Sequence, residues 1–417
     1  MSGPARPGLL LVDDRPTSFS RYVVGRADID VVLLRFEQVR HELPASYLED
    51  TAHLRSFWVR SDVPLDQEAR RYRSWVRSSP GTTAPEFFCN PSEPRQALAH
   101  RFAGMTGLPH LDEQQVSWVR NKVAMKDRFR KLGLSTAEYA RIHDRAEVLE
   151  FAAEHGWPVV LKPVDSFACI DTFLVRDAAE LRDVELPDRS WMVESYLGGV
   201  EGENCALVVG GEVLDVWPST MPARPLDIVA GSINANISVA TGEGAPAGLH
   251  ELTQRIVTGM GLDHGYVHME FFVEGEQLRV GEIGLRVAGC EITANHGYAY
   301  GFDVFGAVLD VYLGRRPELR YRHRRCAGDL LLPLPSSGLV RKITDAEELL
   351  AMPGVVVAVL RVGPGDLVTC RRASHNASGY VHVVGASVAE VEQRMRRILT
   401  GFTIEIESPA DTVAMLP

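Results

Sequence analysis

The stretch GYVHMEFFVEGEQLRVGEIGLR, Gly265 to Arg286, decides how the rest of the chain is read. Val267, Met269, Phe271 and Val273 alternate with His268, Glu270 and Phe272, the period-two pattern of a strand with one face on a core. Glu274-Gly275-Glu276 interrupts it. A second strand follows, with Leu278, Val280 and Glu282 on one face and Arg279, Gly281 and Ile283 on the other. The two runs read as a hairpin. With a three-residue loop, Gly275 to Gln277, Glu270 lies directly across from Glu282 on the same face; a two-residue loop puts them on opposite faces. Facing carboxylates repel, so such a pair needs a cation or a shared proton. Mg²⁺ is the simplest answer, because it takes one or two protein carboxylates and fills its other positions with water and phosphate oxygens. The plainer reading is a solvated strand edge with two unrelated acids.

Around this hairpin run 417 residues, too many for one ordinary core, so several subdomains are expected. A chain 45% hydrophobic and 24% charged has the composition of a soluble globular protein. A formal net charge of -11 argues against a general polyanion binder, so no nucleic-acid partner is expected, although a local basic site for nucleotide phosphates stays open. The arginine-rich piece Arg315 to Arg325 reads as a solvated linker. Cys89, Cys169, Cys205, Cys290, Cys326 and Cys370 show no CxxC spacing, which argues against a zinc site or a disulfide framework. The N-terminus lacks a charged region followed by a long apolar run, and no apolar segment approaches bilayer length. A cytoplasmic enzyme without membrane association is the expectation.

Upstream, Gly8 to Asp13 and Ile29 to Leu34 are short apolar runs of the kind found in buried parallel strands. The first is followed by Asp13-Asp14-Arg15-Pro16 rather than a glycine-rich phosphate fingerprint, so this α/β unit reads as scaffold. His41 to Arg77 is polar and helix-compatible, Phe87 to Cys89 a strand end, Pro91 to Thr106 helical. Asn121 to Gly133 is an amphipathic helix stopped by Gly133. Glu147 to His155 is another helix, after which Val159 to Lys162 forms a buried strand ending in a lysine. Trp191 to Tyr196 is a strand, and Cys205 to Val209 with Glu212 to Val216 flank Gly210-Gly211 as a hairpin. Met221 to Gly244 has no clear period and reads as a lid or substrate loop. Leu249 to Gly261 and Val304 to Leu313 are the helices before and after the central hairpin. From about Arg320 a separate α+β tail is expected, with strands such as Asp329 to Leu334, Gly338 to Ile343 and Val355 to Val362.

The order of features, a strand-end lysine, a strand carrying Glu-Ser-Tyr-Leu, and two cross-strand glutamates followed by an arginine, resembles the ATP-grasp superfamily, and within it the carboxylate-amine ligases that include L-amino-acid ligases. The similarity covers roughly Lys122 to Leu313 and, more loosely, the whole chain. It implies an α/β and α+β multidomain protein: an N-terminal Rossmann-like pre-ATP-grasp domain over 1–110, the small and large grasp subdomains over 111–190 and 191–319, and a C-terminal α+β subdomain over 320–417. It also implies ATP and Mg²⁺ as cofactors, with Mn²⁺ as a substitute, small-molecule carboxylate and amine substrates, and frequent homodimers.

Residue by residue, the resemblance gives Lys122 and Lys162 to the ATP phosphates. It makes Glu194, Tyr196 and Leu197 the hinge that reads adenine, and Glu203 the acceptor for ribose hydroxyls. Glu270 and Glu282 become the metal ligands, and Arg286 the arginine on the acyl-phosphate or substrate carboxylate. His268, Asn234, Asn236 and Asn295 are weaker candidates for substrate contact. Taken singly, each lysine reads as an ordinary surface or snorkelling lysine and each acid as solvated surface. Two positions depart from the family. The loop after Lys162, Asp165-Ser166-Phe167-Ala168-Cys169-Ile170-Asp171, has no glycine for close backbone approach to phosphate, so Ser166 or a rearranged loop takes that role. Gly284 stands where an asparagine often completes the metal site. The implied reaction makes an acyl-phosphate from a carboxylate and ATP, which an amine then attacks. A carrier-bound acceptor, a kinase-like transfer and a degenerate nucleotide binder are the competing readings.

Overall fold

The computed structural model describes residues 6–78, 83–229, 231–370, 373 and 375–407. Among these, no helix is long and apolar enough to cross a membrane. The N-terminal domain is a four-stranded parallel sheet in the spatial order Arg55–Val59, Asp30–Phe36, Gly8–Val12, Phe87–Cys89. All five residues of Gly8–Val12 are buried, as a strand covered on both faces by helices requires. Arg55–Val59 corrects the helix-compatible reading of His41 to Arg77: this segment is the sheet's edge strand, with Phe57 and Val59 turned inward. Its polar neighbours hid the alternation.

A small antiparallel sheet follows, ordered Tyr139–Ile142, Trp191–Ser195, Val159–Pro163, Phe173–Val175. Val148 and Phe151 of the helix Arg145–His155 share a core with its Leu161 and Trp191.

The centre of the molecule is an eight-stranded sheet. Its order is Gln277–Gly284, His264–Glu274, Val200–Val209, Glu212–Thr220, Ala235–Val239, Cys326–Leu332, Gly379–Gly385 and Val355–Leu360. Alternation along the strands sorts side chains between two cores. Ala206, Val208, Val267, Met269 and Phe271 pack against the helices Lys122–Lys131 and Leu249–Met260. Cys205, Leu207 and Tyr266 instead join Leu9, Leu11 and the helices Ile292–Tyr300 and Val304–Tyr312. By the same parity Glu201, Glu203, His268 and Glu270 share the second face.

Two expectations fail here. Ala235–Val239, inside the stretch read as a lid loop, is a fully buried strand with neighbours on both edges. The described residues before it, with the short helix Pro225–Val229, and the turn over 240–244 after it lie outside the sheet. Likewise the residues after 320 are not a separate unit, because Cys326–Leu332, Gly379–Gly385 and Val355–Leu360 continue the central sheet from Ala235–Val239. The rest of that part forms a three-stranded sheet of Leu367–Val368, Gly338–Ile343 and Ile404–Glu407. The helices Glu113–Arg120 and Ile292–Tyr300 are further elements that the sequence reading did not expect.

The central hairpin also differs in detail. Glu274 pairs with Gln277, so the turn is the two residues Gly275-Glu276, with Gly275 at φ +62. That turn by itself sends the two acids to opposite faces. A bulge between the Met269–Ile283 and Phe271–Val280 pairs sets Gly281 and Glu282 against Glu270 and brings the carboxylates back to one side. Gly281 is needed for the bulge: a Cβ there would meet Phe272 Cε2 at 2.9 Å and Glu270 O at 3.2 Å.

Candidate active site

Between the small antiparallel sheet and the second face of the central sheet lies a cavity of about 560 Å³. Every residue singled out from the sequence lines it except Asn295. Its floor is a chain of alternating charges. Lys126 Nζ lies 2.9 Å from Glu194 Oε2, and Lys162 Nζ lies 2.5 Å from Glu194 Oε1 and 2.8 Å from Glu282 Oε1. Lys122 Nζ lies 2.5 Å from Glu282 Oε2. The five members come from three parts of the fold: Lys122 and Lys126 from one helix, Lys162 and Glu194 from neighbouring strands of the small sheet, Glu282 from the hairpin. Burial opposes ionisation of Glu194, but Lys126 and Lys162 outweigh it and hold the carboxyl below its usual range. Burial likewise opposes charge on Lys162, yet Glu194 and Glu282 raise its pKa. The same contest leaves Glu282 ionised, because Lys122 and Lys162 overcome its burial.

Glu270 is the exception. It makes no ion pair among the described residues, and burial together with the charge of Glu282 pushes its carboxyl up from 4.5 to about 7. Across the sheet on its other side sits Glu203, and His268 Nε2 is 3.5 Å from Glu203 Oε2. Both of those atoms lack a hydrogen-bond partner among the described residues. Glu203 therefore stands at the acids' end of the cavity. Its neighbour two residues earlier, Glu201, lies opposite Phe272 and feels Arg224, which donates to Leu197 O at 2.9 Å and Tyr196 Oη at 2.5 Å. Glu201 is thus the strand's acid nearest the hinge. Burial, then Glu270, raises its carboxyl well above the usual value.

Lys126, Glu201 and Glu93 are site residues that sequence reasoning missed. Lys126 had a signal: it follows Lys122 by four, one turn along the same helix face. Its side chain is 1% exposed, so it is a committed buried charge rather than a surface lysine. Glu93 had none, since it comes from the loop after the last N-terminal strand. It accepts from both Arg286 and Arg120, whose charges, Arg286 first, overcome its burial and hold it at about 2.

Ser166 lines the cavity and donates to Pro163 O at 3.2 Å. In the glycine-free loop Ala168, Cys169 and Asp171 adopt φ of +51, +54 and +54, the left-handed conformation otherwise supplied by glycine. The loop therefore takes a glycine-like path with L residues. Ala168→Gly is expected to raise stability by about 0.5–1 kcal/mol. A thermal melt reads this as a higher Tm, and a lower one contradicts it.

Asn295 needs correction as a substrate contact. It is fully buried in the helix Ile292–Tyr300, where Nδ2 donates to Asp329 Oδ1 at 2.5 Å and to Asn236 O at 3.3 Å, and Oδ1 lies 2.7 Å from His382 Nδ1. Such saturation is what a buried amide requires, and it leaves nothing to offer a ligand. Asn236 does reach the cavity, with a buried Oδ1 that has no hydrogen-bond partner among the described residues, and Asn234 also lines it.

Fold and site together define the class: this chain has the ATP-grasp fold. The L-amino acid ligase of Bacillus licheniformis superposes with a TM-score of 0.76 at 17% identity, covering 97% of this chain and all of that one. Other solved structures that match over most of the chain hold ATP or ADP. More particularly, residues 330–407 match the family model "L-amino acid ligase C-terminal domain 2". Dapdiamide A synthase of Enterobacter agglomerans is 24% identical over 276 residues, 60% of this chain and 62% of that protein. The uncharacterised protein y4rH of Sinorhizobium fredii is 23% identical over 97% of this chain and 84% of its own length.

Proposed function

We propose that the protein is an ATP-dependent carboxylate-amine ligase that forms an amide through an acyl-phosphate, joining amino acids or an amino acid to a small amine. The observation that carries this is the meeting, in one cavity, of the lysine-glutamate chain, the unpaired Glu270 and Arg286. A carboxylate is inert to amines because oxide is a very poor leaving group. Transfer of the γ-phosphoryl group from ATP to the carboxylate removes that obstacle, and its transition state is helped mainly by positioned positive charge. Lys122 and Lys162 provide that charge from two sides. Arg286, held in place by Glu93, is the fork for the acyl-phosphate oxygens as the amine attacks the carbonyl.

The donor set fits a divalent cation only in part, and in the way this chemistry needs. No cluster of three or more His, Cys, Asp or Glu able to hold a metal is present among the described residues. Two carboxylates, Glu270 and Glu282, would hold Mg²⁺, with phosphate oxygens and water completing it. When bound, the ion offsets phosphate charge and relieves the repulsion that raises Glu270. The segment with Met221, Arg224 and Leu226 lines the cavity mouth beside the hinge and supports a role in excluding water from the acyl-phosphate.

Phosphate release from Mg-ATP across pairwise mixtures of amino acids and simple amines tests the proposal. Release that requires both a carboxylate and an amine, and that drops at least 100-fold in Glu282→Gln, is expected. Release without amine, or with phosphate retained on the product, would point to hydrolysis or a kinase instead.

A further inference from the structure

The strand Trp191–Ser195 belongs to the small antiparallel sheet and Val200–Val209 to the central one, so Tyr196-Leu197-Gly198-Gly199 carries the chain from one sheet to the other. On one side this link is pressed against the hairpin: a Cβ on Gly199, whose φ is +75, would collide with Val273 O. Arg224 holds the other side. Its guanidinium donates to Tyr196 Oη at 2.5 Å, to Leu197 O at 2.9 Å and to Gly199 O. It also lies 5.0 Å from the centre of the Tyr196 ring and 5.9 Å from that of Phe272. Among the described residues no backbone N–H reaches Leu197 O, so Arg224 is what satisfies this carbonyl. A planar fork with several donors can span the acceptors of a turn in this way, whereas a single ammonium cannot. Arg224 also stands immediately before the helix Pro225–Val229, and its own carbonyl accepts from Asp227 N and Ile228 N at 2.9 Å each. One residue thus grips the link with its side chain and the segment at the cavity mouth with its backbone.

We propose that Arg224 is a positioning residue that ties the segment 221–229 to the link Tyr196 to Gly199, so that ordering the link around a nucleotide and ordering the cavity mouth are one event. The inference rests on the ligase reading above, in which nucleotide occupies the hinge and the acyl-phosphate must be shielded from water. Tyr196 and Leu197 line the cavity on one side of the guanidinium, and Met221, Leu226 and Ile228 line it on the other. A nucleotide against the link therefore restricts the groups that Arg224 holds, and Arg224 passes that restriction to the helix that begins at the next residue. Coupling of this kind is reciprocal: whatever the nucleotide adds to the stability of the segment, the ordered segment adds to the affinity for the nucleotide. Without Arg224 the two would order independently. Arg224 acts here through the backbone of the link, with no part in bond making.

Amide hydrogen exchange, read by mass spectrometry on peptides covering 196–200 and 221–229, tests the tie with and without a saturating non-hydrolysable ATP analogue. In the wild type the analogue should slow exchange in both peptides at least tenfold. In Arg224→Gln it should slow the first peptide and leave the second within twofold of its nucleotide-free rate. By reciprocity the Kd for the analogue, from calorimetry, should rise at least tenfold in that variant. Arg224→Lys, which keeps the charge and loses the fork, should fall between the two in both measurements, and it decides alone if Arg224→Gln does not fold. Equal slowing of both peptides in the variants, or exchange over 221–229 that ignores the nucleotide in the wild type, overturns the tie while leaving the ligase reading intact. An unaltered Kd in the variants does the same. A wild type that binds no ATP analogue overturns the ligase reading and the tie together.

Discussion

Glu270→Gln is expected to stabilise the metal-free protein at pH 8 while abolishing phosphate release. In the folded chain this carboxyl is raised from 4.5 to about 7, by burial first and then by Glu282. Below pH 4.5 the folded and unfolded chains both hold the proton, and the group costs nothing. Between pH 4.5 and about 7 the unfolded chain gives up the proton that the folded chain must keep rather than bury a second negative charge, so stability falls across that window and levels off above it. The penalty at pH 8 is on the order of 1–3 kcal/mol. Glutamine keeps the shape and removes the charge, so denaturant unfolding without metal should show a variant more stable than the wild type at pH 8 and nearly equal to it at pH 4.5. Adding Mg²⁺ should stabilise the wild type and leave Glu270→Gln almost unmoved. A variant no more stable than the wild type at pH 8 would show that the repulsion is already relieved from within the protein.

Glu194→Gln should act in the opposite direction. Glu194 is the shared anion of Lys126 and Lys162, and Lys126 has almost no access to water. Removing the anion leaves two buried ammonium groups, of which Lys162 keeps an ion pair with Glu282 while Lys126 feels that carboxylate only from farther away. Breaking a buried pair in this way costs about 3–5 kcal/mol, because the remaining charge is uncompensated. Burial already lowers the pKa of Lys126 against the opposing pull of Glu194, so without Glu194 it gives up its proton more readily still. The folded variant then binds fewer protons than its unfolded chain, and its deficit should shrink as pH is raised from 7 to 9. Lys126→Met combined with Glu194→Gln should recover much of the loss, since the charge with the least access to water is then gone. A single variant of wild-type stability would mean that water reaches Lys126 in solution. If Glu194 reads the nucleotide as the family resemblance implies, the KM for ATP should also rise at least tenfold in Glu194→Gln.

The readable part of the site was its chemistry in order. Lys162 at a strand end, Glu194 on its strand, and Glu270 and Glu282 on two adjacent strands all follow from short-range alternation and turn residues. Local pattern leaves the turn open between two and three residues, and the structure has two. Glu270 and Glu282 nevertheless share a face, through a bulge that Gly281 allows and that no local pattern announces. Lys126 was legible in the four-residue spacing from Lys122 but looked like one more surface charge. Glu93 was not legible at all, because it gains its meaning from Arg120 and Arg286, contributed by distant elements.

Local sequence thus determined which segments are strands or helices where the hydrophobic period is strong, and which ionisable residues stand at their ends. Tertiary structure decided which strands neighbour one another. Ala235–Val239 became a core strand, and the C-terminal strands continued the central sheet, because the open edge of Glu212–Thr220 had hydrogen bonds to complete. It also decided the charge states. A carboxyl or ammonium group has nearly its ordinary affinity for protons along the bare chain, and only burial beside particular neighbours makes Glu282 a fixed anion and Glu270 one that hesitates near neutrality.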